Sequence, residues 1–166
     1  MQISESFVYP APVELVFEMM TDEDFQSQVC VATFAISHSV EITFDGPDRA
    51  AVHTSREMPT KGFPDYAKRI VGMSITANQT IVYDDPDEEG VRFGNMRISM
   101  GHAPVGLIGS IVLTPTAEDH TKVEVLGELT SSIPLIGNKI VEAAAPLVTA
   151  GIHKERETGL AWLTRV

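Results

Sequence analysis

The stretch PLIGNKIVEAAAPLVTAGIHKERETGLAWLTRV, Pro134 to Val166, decides the fold. At about 100° per residue it reads as one long helix. Ile140, Val141, Ala144, Ala145, Leu147, Val148, Gly151, Ile152, Thr158, Gly159, Trp162 and Leu163 fall on one side. Glu142, Thr149, His153, Arg156 and Glu157 fall on the other. The apolar side is thin, because Ala and Gly hold many of its positions. Such a stripe either approaches a sheet closely or leaves a hollow beside one. Near its middle stands Glu155, a carboxylate where core packing would place Leu. Small residues and one misplaced charge predict a ligand cavity between this helix and a sheet. The competing expectation rests on Pro146, since an interior proline removes a backbone hydrogen bond and clashes with the preceding turn. A kink there would rotate the second half and send Glu155 to solvent or to the cavity mouth.

Working back from the helix, the period changes from 3.6 to 2. Thr121–Thr130, Val105–Thr114, Val91–Met100, Met73–Tyr83, Arg49–Arg56 and Phe34–Phe44 all read as strands. Turn-forming clusters separate them, among them Asp45-Gly46-Pro47-Asp48 and the run Asp84 to Gly90. Glu57–Pro64, with two prolines and a glycine, reads as a loop, and Asp65–Val71 as a short helix. At the start, Gln2–Tyr9 alternates as a half-buried strand. Pro12 suits a first helical turn, and Val13, Val16, Phe17 and Met20 keep helical spacing. Thr21 is the expected N-cap of a second short helix, Asp22 to about Val31. The expected fold is α+β: seven antiparallel strands, two short helices after the first strand and one long C-terminal helix. Residues 1–166 read as a single domain, with no repeat or linker.

The chain carries 12 Lys+Arg against 23 Asp+Glu, a formal net charge of −11. That balance argues against nucleic acid, whose affinity rests on cations and counterion release. It also disfavours stable docking on anionic membranes and leaves transient contact with a neutral surface open. A single cysteine, Cys30, rules out an intrachain disulfide and fits a reducing cytoplasm. No stretch reaches the ~18 apolar residues of a membrane span, and Met1–Glu5 lacks the pattern of a signal peptide. The expectation is a soluble cytoplasmic protein.

This order of elements resembles the helix-grip fold of the START-like (SRPBCC) superfamily, in which a curved sheet wraps a long terminal helix. Ala11-Pro12-Val13-Glu14-Leu15-Val16-Phe17 followed by Thr21-Asp22-Glu23-Asp24 is similar to the opening common in that superfamily. Ile133-Pro134-Leu135-Ile136-Gly137-Asn138-Lys139-Ile140-Val141-Glu142, the proline-rich segment Met58–Pro64 and Trp162-Leu163 are similar to a bacterial START-like family of unknown function. The resemblance implies a fold and a cavity. It supplies no catalytic residues.

The chemistry points the same way. Five histidines show no HxH or HExxH pairing, so no metal site is expected. No nucleophile elbow, P-loop or dinucleotide fingerprint is present, and no cofactor is expected. Cys30, between Val29 and Val31, reads as a buried, inert thiol. The ligand is expected to lie against Leu147, Gly151, Glu155 and Trp162 of the helix and Ile75, Phe93, Arg97 and Ile111 of the strands. A one-residue register error would invert a strand face. His38, Gln79 and Asn95 are further inward-facing candidates, and Met58, Met73, Met96 and Met100 an adaptable lining. Met58 to Val71 is expected to cover one entrance as a lid. The leading reading is a carrier or sensor of a small hydrophobic molecule such as a lipid, isoprenoid or polyketide. One alternative is a cavity-based enzyme of cyclase or hydrolase type using Glu155 with His38. The other is a protein-interaction module whose cavity is filled.

Overall fold

The computed structural model describes residues 1–165; Val166, the end of the helix read from sequence, lies outside them. The elements are β1 (Gln2–Tyr9), α1 (Val13–Met20), α2 (Glu23–Ala32), β2 (Ser37–Phe44), β3 (Ala50–Pro59), α3 (Asp65–Val71), β4 (Ser74–Tyr83), β5 (Arg92–Met100), β6 (Ala103–Pro115), β7 (Thr121–Ser131) and α4 (Gly137–Leu163). The strands form one antiparallel sheet in the order β1-β7-β6-β5-β4-β3-β2. This is the expected α+β helix-grip arrangement, with the curved sheet gripping α4.

Period-2 patterning puts Met96, Ile98, Ile81, Leu107, Val125 and their neighbours on the concave face, where they form the core with α1, α2 and α4. The principal packing of α4 is on β1, β7, β6 and α2. It reaches β1 where Gly159 meets Tyr9, whose hydroxyl donates to the Glu155 carbonyl at 3.1 Å. Only glycine permits that approach, since a Cβ at 159 would lie 2.6 Å from Tyr9 Cζ. Sheet curvature has a similar cause: Gly109 faces Gly127 across β6 and β7, and a Cβ on Gly109 would overlap the β7 backbone.

Several local expectations are corrected. The N-cap of α2 is Asp22, which accepts from the Phe25 N–H at 3.0 Å. Thr21 instead donates its hydroxyl to the Phe17 carbonyl at 2.7 Å, closing the end of α1. β3 runs on to Pro59, because the Val52–Thr54–Met58 alternation continues inward. β2 begins at Ser37, since Phe34 adopts φ 62° and breaks the extended run. α4 begins at Gly137, after Leu135 at φ 69°, and stays continuous through Pro146, whose side chain is exposed.

The face of β5 is inverted relative to expectation. Arg92, Gly94, Met96, Ile98 and Met100 point inward, while Phe93, Asn95 and Arg97 face solvent. Two contacts explain the register. Gly94 sits where a Cβ would crowd Ile111, Ile81 and Tyr83, so only a residue without a side chain fits. Arg92, fully buried, finds Glu14 at 2.9 Å and Asp48 at 3.1 Å, and donates to the Asp48 carbonyl at 2.8 Å. Its guanidinium also lies 3.7 Å from the centre of the Phe17 ring. These contacts close one end of the concave space.

Candidate functional site

A pocket occupies the space that α4 leaves above β3, β4 and β5. Strand alternation supplies its floor: Thr54, Arg56 and Met58 from β3, Ala77, Gln79 and Ile81 from β4, and Met96, Ile98 and Met100 from β5. Ile111 and Val125 continue it across β6 and β7. Leu147, Gly151 and Glu155, spaced four residues apart, form one stripe of α4 and make the roof. Gln26, Val29 and Cys30 of α2, with Thr33, form a side wall. The volume open to the centre of a water-sized sphere is about 60 Å³, several times the roughly 10–15 Å³ that one water needs. A larger guest needs the lining to yield, and the flexible thioethers of Met58, Met96 and Met100 are suited to that.

Polar groups in this apolar setting define its chemistry. Glu155 is partly buried. Desolvation raises its carboxyl from 4.5 to about 7, and the Arg56 guanidinium opposes that rise without cancelling it. Arg56 and Glu155 share the pocket but do not approach within the 4.0 Å of a salt bridge. Arg56 Nε is buried and has no hydrogen-bond partner among the described residues. Tyr83 Oη, nearby in the core, is likewise buried and unpartnered; burial, then the charge of Glu155, raises its pKa. Gln26 is oriented by donating Nε2 to the Met20 carbonyl at 2.8 Å. The Cys30 thiol is pushed up, chiefly by burial, which favours the unreactive protonated form.

Of the residues singled out from sequence, Leu147, Gly151, Glu155 and Ile111 come together around this pocket. Ile75 is buried on the concave face but outside the lining. Trp162 is not in the lining either; its ring stacks edge-on against Phe25 at 5.6 Å. Phe93 and Arg97 lie on the opposite face of the sheet, as described above. His38 pairs with Arg56 across β2 and β3 but is exposed on the edge strand and does not join the lining, so no Glu155–His38 couple forms. Gln79, Met58, Met96 and Met100 line the pocket, whereas Met73 is exposed. Sequence reasoning missed Arg56, Thr54 and Gln26. For Arg56 the signal was available: it continues the inward series Val52, Thr54, Met58.

Comparison with known proteins matches this architecture. The family model described as "Protein of unknown function (DUF2505)" matches residues 4–163. The chain belongs to that family. No curated protein sequence matches it significantly. Among solved structures, a START superfamily protein from Mycobacterium smegmatis is 12% identical, with a TM-score of 0.55 over 99% of this chain and 97% of that one. The human StarD13 lipid transfer and protein localization domain is 8% identical, with a TM-score of 0.59 over 95% of this chain and 76% of that one. The Zhui aromatase/cyclase from Streptomyces sp. R1128 is 15% identical, with a TM-score of 0.52 over 97% and 89%. At these identities the likeness is one of fold, and that fold is START-like. No helix among the described residues is long and apolar enough to cross a membrane, and no group of three or more His, Cys, Asp or Glu among them is placed to hold a metal ion.

Proposed function

We propose that this DUF2505 protein binds a small, largely apolar molecule between the sheet and α4, as a carrier or sensor. Lipid, isoprenoid and polyketide-like compounds are the ligand classes that fit. The observation that carries the reading is the Arg56–Glu155 arrangement: two ionisable side chains within one apolar pocket, unjoined to each other. A buried polar group without a partner is costly. A ligand whose apolar body lies along Met58, Met96 and Leu147, and whose oxygenated end reaches Arg56 and Glu155, would satisfy both groups. A few convergent polar groups in an apolar pocket are the usual make-up of a small-molecule site. A START-like fold shared with a lipid transfer domain and an aromatase/cyclase supports the reading.

The test is a titration with an apolar fluorescent probe, alongside native mass spectrometry of the purified protein. We expect saturable probe binding that Gly151→Leu abolishes while the variant stays folded. A Cβ at 151 would meet only Arg56 Nη1, at 3.8 Å, so the added side chain has room to enter the pocket. Probe binding unaffected by Gly151→Leu would overturn the assignment.

A further inference from the structure

We propose that the end of the molecule carrying α3 docks on an anionic lipid surface. This inference rests on the exterior and does not depend on what fills the pocket.

The strands run between two contrasting sets of loops. At one end lie the β2–β3, β4–β5 and β6–β7 loops, which hold nine carboxylates against a single arginine, Arg49. At the other end lie Thr33–Ile36, the segment from Thr60 through α3 to Met73, and Ser132–Ile136 leading into α4. These hold Lys61, Lys68 and Arg69, and the first turn of α4 adds Lys139; the one carboxylate among them is Asp65. None of the four cations forms an ion pair among the described residues, and three of them are exposed. Glu57, at the adjoining end of β3, is occupied by hydrogen bonds from Ser37 and Ser74. The whole-chain charge of −11 hides this segregation.

Distance decides whether the acidic end would prevent docking. A strand of about nine residues spans roughly 30 Å, several times the Debye length of about 8 Å at physiological salt. The acidic loops are therefore largely screened from a surface that the cationic end touches.

The same end projects large apolar side chains into solvent. Leu135 is 103% exposed, Met73 86% and Phe34 77%. Two of these three are held in a glycine-like backbone. Phe34 follows the C-cap of α2 at φ 62°, where helices commonly place glycine. Leu135 is at φ 69°, at the centre of a three-residue turn in which the Ile136 N–H donates to the Pro134 carbonyl at 2.8 Å. Bulky residues adopt this conformation only at a cost. Here the strain yields no core contact and presents an apolar side chain to water. Apolar tips at the same end of the sheet as lysine and arginine match the chemistry of an anionic bilayer, whose charge attracts the cations and whose interior accepts the tips. Met58 and Met100, which line the pocket, sit at this same end of β3 and β5, so docking would bring that side of the pocket toward the lipid.

The experiment is flotation of the full chain with phosphatidylcholine vesicles, with and without a phosphatidylserine fraction of about 30%. We expect binding that needs phosphatidylserine and weakens as salt rises. Lys61→Glu, Lys68→Glu and Arg69→Glu combined should lower the affinity at least about tenfold. The variant Phe34→Gly with Leu135→Gly should also lose binding, while its thermal stability stays level or rises as the backbone strain is relieved. A purely structural role for these residues predicts the opposite change in stability. No binding to phosphatidylserine vesicles at low salt would overturn the proposal, as would equal binding to neutral ones. So would sedimentation showing self-association that the double glycine variant removes, because the face would then meet a second copy of the chain.

Discussion

The concave space beneath α4 is filled at one end and hollow in the middle, and two pairs of like residues mark the difference. Arg92 and Arg56 both point inward. Arg92 is held through its Nη atoms by two carboxylates and a carbonyl and lies over an aromatic face, while Arg56 has no ion pair among the described residues; the Nε of each is buried without a partner. Gly159 and Gly151 both lie on the inner side of α4, two turns apart. Gly159 is pressed against the Tyr9 ring, whereas Gly151 borders open space and the end of Arg56. Residue type alone therefore does not separate scaffold from site. The separating observation is whether neighbours already fill a group's space and pair its charge.

The contrast can be broken by mutation, most forcefully at its filled end. Gly159→Leu should destabilise the protein by about 3 kcal/mol or more, since Tyr9 and its hydrogen bond to α4 must move. Urea denaturation measures it, and a loss no larger than that of Gly151→Leu would erase the distinction. Arg92→Met should cost about 2–3 kcal/mol. That is less than the loss of one partner from a fully buried ion pair, because Glu14 and Asp48 are half-exposed and can rehydrate.

Glu155→Gln sharpens the comparison through pH. The folded carboxyl titrates near 7 and the unfolded one near 4.5. Between those values the folded chain holds a proton that the unfolded chain has released. Stability from this group is thus highest below about pH 4.5, falls as pH rises to 7, and is level above. Relative to wild type, Glu155→Gln should gain at most about 3 kcal/mol at pH 8, less to the extent that partial exposure screens the charge, and almost nothing at pH 4.5. A difference between the two proteins that does not change with pH would show that Glu155 is solvated.

Gly151→Leu should show the smallest stability change, within about 1 kcal/mol, because its new side chain enters existing space. Its effect belongs to ligand binding. A large loss of stability would show that the hollow is too small or too rigid to accept a side chain.

Much of the architecture was legible in the residues. The switch from period 3.6 to period 2 marks every strand and the long helix, because one-sided burial imposes those periods on any sequence that folds this way. The thin stripe of α4 and the displaced charge of Glu155 were visible for the same reason: helical geometry alone puts Leu147, Gly151 and Glu155 in line. Strand facing was less secure. Phe93 and Arg97 alternate as well as Arg92 and Met96 do, and only Gly94 against Ile111, with Arg92 against Glu14 and Asp48, fixes which set turns inward. Those partners are distant in sequence, so nothing local records them. Arg56 shows the same limit: its strand and parity can be read from the chain, but its lack of an ion-pair partner is a property of everything packed around it. The two ends of opposite charge likewise exist only once antiparallel pairing has gathered alternate loops onto opposite sides. Local periodicity determined the elements and their faces in outline; long-range packing decided which polar groups were satisfied and which were left for a partner.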